Sequence, residues 1–260
     1  MALRLSSGLR NFLLEGGSLK RAFAGGKIKL YTGSQPASAN DAVSGTLLCT
    51  YTDNSGAHTA EVRATGSVEL TGGGAGSVDT LTVNSLEIMG SATAFNTSLI
   101  QTATDIVAKI NDNPKNMLFV ASNAAGTSAT ITITAKAGLG TLPNTWVVAS
   151  TATTITKTDT NMSGGVNSAN GLLFGDSAAG ALVKKVGQTW SGVGAANGTA
   201  GWFRFEGAVA DAGSADSSEV FHRLDGSVAT SGANLNLSST AIVISATQTI
   251  STFTLTEPAS

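Results

Sequence analysis

Between Ala129 and Ala135 the chain reads ATITITA, with an apolar residue at every second position and threonine between. Successive side chains of a strand point to opposite faces, so this alternation predicts a strand with one face buried and one wet. A pattern of period two cannot lie on a helix, and weaker copies of it recur along the chain: KIKLY (27–31), TLLCTYT (46–52), SVEL (67–70), TLTV (80–83) and TAIVISA (240–246). Gly, Asn, Asp and Ser punctuate the runs, as turns require. The expected class is therefore mainly β.

Two segments depart from that texture. Leu9, Phe12 and Leu13, then Leu19 and Phe23, fall at helical spacing, and Gly16–Gly17 and Gly25–Gly26 supply stops. The second segment is NTSLIQTATDIVAKINDNP (96–114), where Ala103, Ile106, Val107 and Ile110 make one apolar stripe and Pro114 bars continuation. Thr102 reads as its N-cap, with Asp105 three residues on. Around this helix, residues 66–166 read as β-β-α-β-β-β, Leu86 and Ile88 prolonging the second strand past Asn84–Ser85. Because a short helix is marginal alone in water, its stripe must cover a sheet. This predicts a small α+β insert, with the glycine-rich TGGGAG and MSGGVNSANG as linkers or hinges to its host. The host is residues 1–65 plus 167–260, a discontinuous jelly-roll or sandwich-like β domain with short N-terminal helices. After Val166 its short strands are separated by turns every 8–12 residues. LDG (224–226) reads as a hairpin turn, Arg204 as the outer edge of a core strand, and Trp190 and Trp202 as core.

Charged residues make up 12% of the chain, against about 25% in ordinary soluble domains. Hydrophobic residues still reach 42%, so hydroxyl and amide side chains have replaced charge and the chain is not a disordered one. The net charge of −2 gives no field to gather nucleic acid or an anionic membrane. A local excess lies at the start: Arg4, Arg10, Lys20, Arg21, Lys27 and Lys29 against Glu15. These six read either as a solvated surface or as a basic arm on an acidic partner, and they are the candidate partner contacts. The opening residues lack the apolar core of a signal peptide and no run is long enough to span a membrane, which predicts a protein made and kept in a cytoplasm.

Reactive groups are few. The histidines, His58 and His222, share no metal-ligand spacing, and His222 near Asp225 reads as a structural residue beside a turn. Cys49, the single cysteine, lies in an apolar run and reads as an inert buried thiol. GGGAG (72–76) joins two strands as a flexible hairpin loop and opens no helix, so it lacks the geometry of a phosphate cradle. Asp211, Asp216 and Glu219 are spaced too loosely for a calcium loop. Trp146 reads as core or, if exposed, as a platform for a sugar. No catalytic residue, cofactor site or metal site is expected, and the chain reads as a non-enzyme.

The phrases MALRLSSGLRNFLL, GSLKRAFAGGKIKLYTGSQPASANDAVSGTLL, TWSG, NGTAGWFRFEG, LDGSVATSGANLNLSS and TFTLTEP resemble a family of tailed-bacteriophage virion proteins. Members of that family run straight from the early strands into the LLFG strand, and this chain departs by carrying residues 66–166 there. The insert, through GSVDTLTVNSLEIMG, TSLIQTATDIVAKIND and ATITITAKAGLGTLPNTWVV, is similar to modules of phage structural proteins and of flagellar filament and hook-associated proteins. The resemblance implies a capsid decoration or cement protein that bridges major capsid protein subunits at the capsid surface, the insert projecting outward. It further implies self-association as a dimer or trimer, with no nucleic-acid or membrane partner. A tail or baseplate component whose insert meets the host surface or a glycan is the alternative.

Overall fold

A computed structural model describes residues 3–124 and 127–256. The chain forms two compact units, Met1–Glu61 with Ser168–Ser260, and Val62–Asn167. Along the first passage of unit 1 lie β1 (Arg4–Leu5), α1 (Ser7–Leu14), α2 (Leu19–Ala22), β2 (Lys27–Thr32) and β3 (Leu47–Asp53). Unit 2 contains β4 (Thr65–Gly72), β5 (Ser77–Val83), β6 (Leu86–Glu87), β7 (Thr93–Ala94), α3 (Leu99–Asp112), β8 (Phe119–Ser122), β9 (Thr130–Ala135), β10 (Val148–Thr153) and β11 (Thr156–Ser163). Unit 1 resumes with β12 (Ala181–Val183), β13 (Trp190–Val193), β14 (Gly198–Glu206), β15 (Arg223–Ala229), β16 (Leu235–Asn236), β17 (Ala241–Ile242), β18 (Thr247–Ile250) and β19 (Thr254–Thr256). The fold is mainly β, with antiparallel sheets and few helices, as the alternation predicts.

The main sheet of unit 1 runs β1-β15-β14-β2-β3-β13-β18, with β16 beside β15 and β17 beside β14. Two strands from the start of the chain thus lie between strands from its end. Leu30 stands opposite Phe203 on one side and Cys49 on the other. One face of β14 sends Phe203 and Phe205 into an apolar core with Leu9, Phe12, Phe23, Ile28, Leu30 and Trp190. Phe205 lies 4.5 Å from Phe23 and 6.0 Å from both Trp190 and Phe253, ring centre to ring centre, so the aromatic cluster also draws on both passages. Each such side chain contributes roughly 1.5–3 kcal/mol on burial.

In unit 2, one sheet runs β10-β5-β6 with β7 beside β5, and the other β11-β4-β9-β8. Ile131 and Ile133 face inward on β9 and meet Ala103, Ile106 and Ile110 of α3 in one core. The unit reaches further than the sequence boundaries of 66 and 166. Val62 and Val166 exchange backbone hydrogen bonds of 3.0 and 2.9 Å, and Ala64 is buried in this core.

Four sequence readings of this unit need correction. Asn84 and Ser85, at φ 48° and 65°, form a two-residue hairpin that reverses the chain into β6, where the sequence suggested a continuing strand. The N-cap of α3 is Ser98, whose Oγ accepts from the Gln101 N–H at 3.1 Å. Thr102 lies inside the helix and returns its hydroxyl to the Ser98 carbonyl at 2.8 Å. Strand β11 escaped notice because TKTDT is polar on both faces, and it occupies the segment just before the supposed second linker. The glycine run is a corner rather than a hairpin loop or a hinge. β4–β5 and β10–β11 form one bent antiparallel ribbon, with Gly72 opposite Thr156 and Ser77 opposite Thr153. The bend presses Gly76, at φ 93°, so closely onto the Thr153 carbonyl that a Cβ there would clash.

One edge of each of these sheets is closed by side chains. On β8, Asn111 donates to the Ala121 carbonyl at 3.0 Å and accepts from its N–H at 2.8 Å. Asn116 does the same for Phe119 at 3.2 and 3.1 Å, and also donates to the Ile110 carbonyl. On β10, Asn161 accepts from the Val148 N–H at 3.0 Å and Asp159 from the Ser150 N–H at 2.8 Å. Each amide or carboxylate satisfies backbone groups that would otherwise invite another strand. Replacement of the buried Asn116 by alanine should lower the stability of unit 2 by about 1–3 kcal/mol in urea unfolding, because two backbone carbonyls and one N–H lose their partner.

Candidate functional site

The second face of the unit 1 sheet is buried too, and it is charged. Alternation along β14 puts Trp202, Arg204 and Glu206 opposite the apolar core, and all three are fully buried. Arg204 donates from Nε and Nη2 to the two carboxylate oxygens of Asp225 on β15, both at 2.7 Å. Arg223 makes a second fork onto Asp211, both bonds at 2.6 Å. Glu206 holds Lys29 at 2.8 Å and Lys27 at 3.6 Å. Burial pushes the Asp225 and Glu206 carboxyls above the usual range, while Arg204 and Lys29 respectively pull them back.

Two loops are tied over this layer by its cations. Arg204 Nη1 donates to the Asp41 carbonyl at 3.1 Å, and Arg4 donates to the Pro36 carbonyl. Asn40 joins the loops, its carbonyl accepting from the Asp216 N–H at 2.7 Å, while Val43 donates to the Gly213 carbonyl at 2.9 Å. The LDG segment is therefore the middle of a strand, not a turn. Gly226 is required because a Cβ would stand 2.6 Å from the Phe203 ring. Arg204 is correspondingly a core residue rather than an edge one, its charge matched by a residue 21 positions away.

The six candidate partner contacts do not form one arm. Arg4 lies in β1 under the Pro36 loop, and Lys27 and Lys29 face Glu206 with 16% of each side chain exposed. Arg21 sits 4.6 Å above the centre of the Phe12 ring, and burial lowers its pKa. Arg10 and Lys20 are exposed, Arg10 bonded to Ser7 and Lys20 to Asp176.

The groups considered for chemistry are occupied structurally. The His222 ring packs on Phe12, centres 4.5 Å apart and tilted by 41°, and the carboxylate of Asp225 is taken by Arg204. His58 Nε2 lies 3.0 Å from the Gly25 carbonyl, and burial lowers its pKa. The Cys49 thiol is buried and pushed up to about 12, far from a reactive thiolate. Asp211 serves Arg223, and Asp216 accepts from Phe221 and Ser218. Among the described residues no group of three or more His, Cys, Asp or Glu could hold a metal ion. No helix among them is long and apolar enough to cross a membrane. Trp146 is half-buried, its ring meeting Phe119 edge-on at 6.0 Å. No family model, curated protein or solved structure matches the chain.

The ionic layer is thus the most elaborate polar constellation in unit 1, and its geometry fits structural clamping: paired forks, short bonds and covered faces. Arg204→Met should cost about 3–5 kcal/mol in chemical denaturation, since Asp225 is left as an uncompensated buried charge. The double variant Arg204→Met, Asp225→Leu should recover most of that loss.

Proposed function

We propose that this chain is a structural protein of a tailed-bacteriophage particle and not an enzyme. Its proposed role is capsid cement, unit 1 bridging neighbouring major capsid subunits. One observation carries the reading. The phrases on which the virion resemblance rests are scattered over both ends of the sequence; those that hold β2, β3, β13, β14 and β15 fold into neighbouring strands of one sheet, while the last supplies β19, paired with β12. Phrases distant in sequence thus belong to one unit of the fold, as a resemblance to a single domain requires. The occupied state of both histidines, the cysteine and the buried acids agrees with a binding role. Many copies each making modest contacts would hold a shell by avidity, so no single deep site is needed.

A second reading, host or glycan contact by unit 2, is favoured by one specific surface. The outer face of β11-β4-β9-β8 aligns Thr160, Ser67, Thr132 and Ser122 in register across four strands, all half-buried or exposed. Such a hydroxyl rank can donate and accept hydrogen bonds without charge.

Cryo-electron microscopy of purified particles separates the two. Capsid cement predicts density for unit 1 across subunit boundaries of the shell at high copy number. Density confined to the tail or baseplate would replace it with the second reading, and absence from particles would remove both.

A further inference from the structure

Along β13 the backbone hydrogen bonds divide by parity. Ala195 donates to the Leu48 carbonyl at 2.7 Å, on the β3 side, and Gly194 donates to the Ala246 carbonyl at 2.9 Å, on the β18 side. Bonded pairs alternate along an antiparallel ladder, so Ala246, Gln248 and Ile250 turn their backbone groups towards β13. Thr247 and Thr249 therefore turn N–H and C=O away from it, and β18 is the last strand of the sheet. Both threonines are exposed, and among the described residues nothing bonds to these outward groups.

This edge is also unguarded. Charges, proline or covering groups are the usual means of keeping a strand edge from pairing. Unit 2 caps β8 and β10 with side chains, and Arg4 stands on β1 at the opposite end of the unit 1 sheet. Strand β18 reads TQTI, without charge or proline, and the chain has no charged residue between Asp225 and Glu257. Among the described residues one side chain reaches its backbone: Lys184 donates to the Ile250 carbonyl at 3.1 Å and leaves Thr247 and Thr249 open.

An open edge is completed by another strand, and this one fits a copy of itself. Turned about a two-fold axis, Thr247 meets Thr249 of the partner subunit and Thr249 meets the partner's Thr247, with Gln248 on the axis. Both pairs then exchange two backbone bonds, four in all, using the groups that point outward. Identical charged edges would repel each other, whereas two copies of β18 bring no like charges together. The same register carries Val243 and Ile244, 55% and 52% exposed in the turn before β18, to the far end of the partner strand, where they add apolar contact. We infer that the chain pairs with a second copy through β18, in antiparallel register, so that one sheet continues across the two-fold axis. The inference goes beyond the particle role proposed above and does not depend on it.

Sedimentation of the full chain tests this, and a concentration-dependent dimer is expected. Thr249→Pro, which removes an outward N–H and spares the ladder to β13, should weaken the dimer by about tenfold or more, since each copy loses a bond. Charge tests the register. The double variant Thr247→Lys, Thr249→Lys should abolish the dimer, whereas Thr247→Glu, Thr249→Lys should keep it, each glutamate facing the partner's lysine. Gln248→Cys, on the axis, should cross-link the two copies under oxidised glutathione. Positions 247 and 249 are exposed, so unchanged unfolding of the dilute variants will confirm that they fold. A chain that stays monomeric at millimolar concentration would leave the edge to a strand of some other protein and overturn the inference. A dimer indifferent to Thr249→Pro and to the double lysine variant, or lost equally in both charged variants, would overturn it as well. Particle location is read separately: a dimer absent from particles would sink the virion reading alone, and a monomer found in them would sink the pairing alone.

Discussion

Strand β2 pairs with β3, its neighbour in sequence, and with β14, more than 160 residues away. Everything in unit 1 depends on that second pairing. Without it the early strands would be an isolated hairpin, which is marginal in water, and β14 would show a bare edge. With it, the aromatic core closes from both chain passages and the charged face acquires its lysines, since Lys27 and Lys29 reach Glu206 only because β2 lies beside β14. Long-range pairing of this kind costs loop entropy before it gains contacts. The cost grows only slowly with loop length, which is why a folded unit can occupy the intervening chain.

The same economy of charge shapes both units. In unit 1 the few charged residues are concentrated into forks that hold loops over a sheet face. A buried pair of that kind contributes specificity more surely than stability, because desolvation offsets much of its attraction. In unit 2 the corresponding work is done by three amides and one carboxylate: Asn111 of α3 and Asn116 beyond it close β8, and Asn161 with Asp159 closes β10. A strand edge whose backbone groups are already satisfied offers no template to a further strand. Helix α3 thus does two things in its unit, covering the core with Ile106 and Ile110 and closing an edge with Asn111.

Much of this was legible in the residues. Alternation gave the strands, the stripe on 103–110 gave the helix, and the composition of 66–166 marked a unit of different texture. What escaped has a common cause. LDG looks like a turn because local composition carries no information about Arg204, whose fork makes it a strand. TKTDT looks like a loop because both faces are polar, one towards water and one towards β10 backbone groups. The basic residues of the first thirty positions look like an arm because a sequence cannot show that Glu206 lies across from two of them.

The most direct test of this account is native-state hydrogen exchange on the intact chain. If β2 is a central strand, the amides of Ile28, Leu30, Phe203 and Phe205 that bond across the sheet should exchange together, only through global opening of unit 1, and with one common free energy. Exchange of the β2 amides through a separate, lower-energy opening while β14 stayed protected would mean that the two passages do not form one cooperative sheet, and the discontinuous body on which the functional reading stands would be lost.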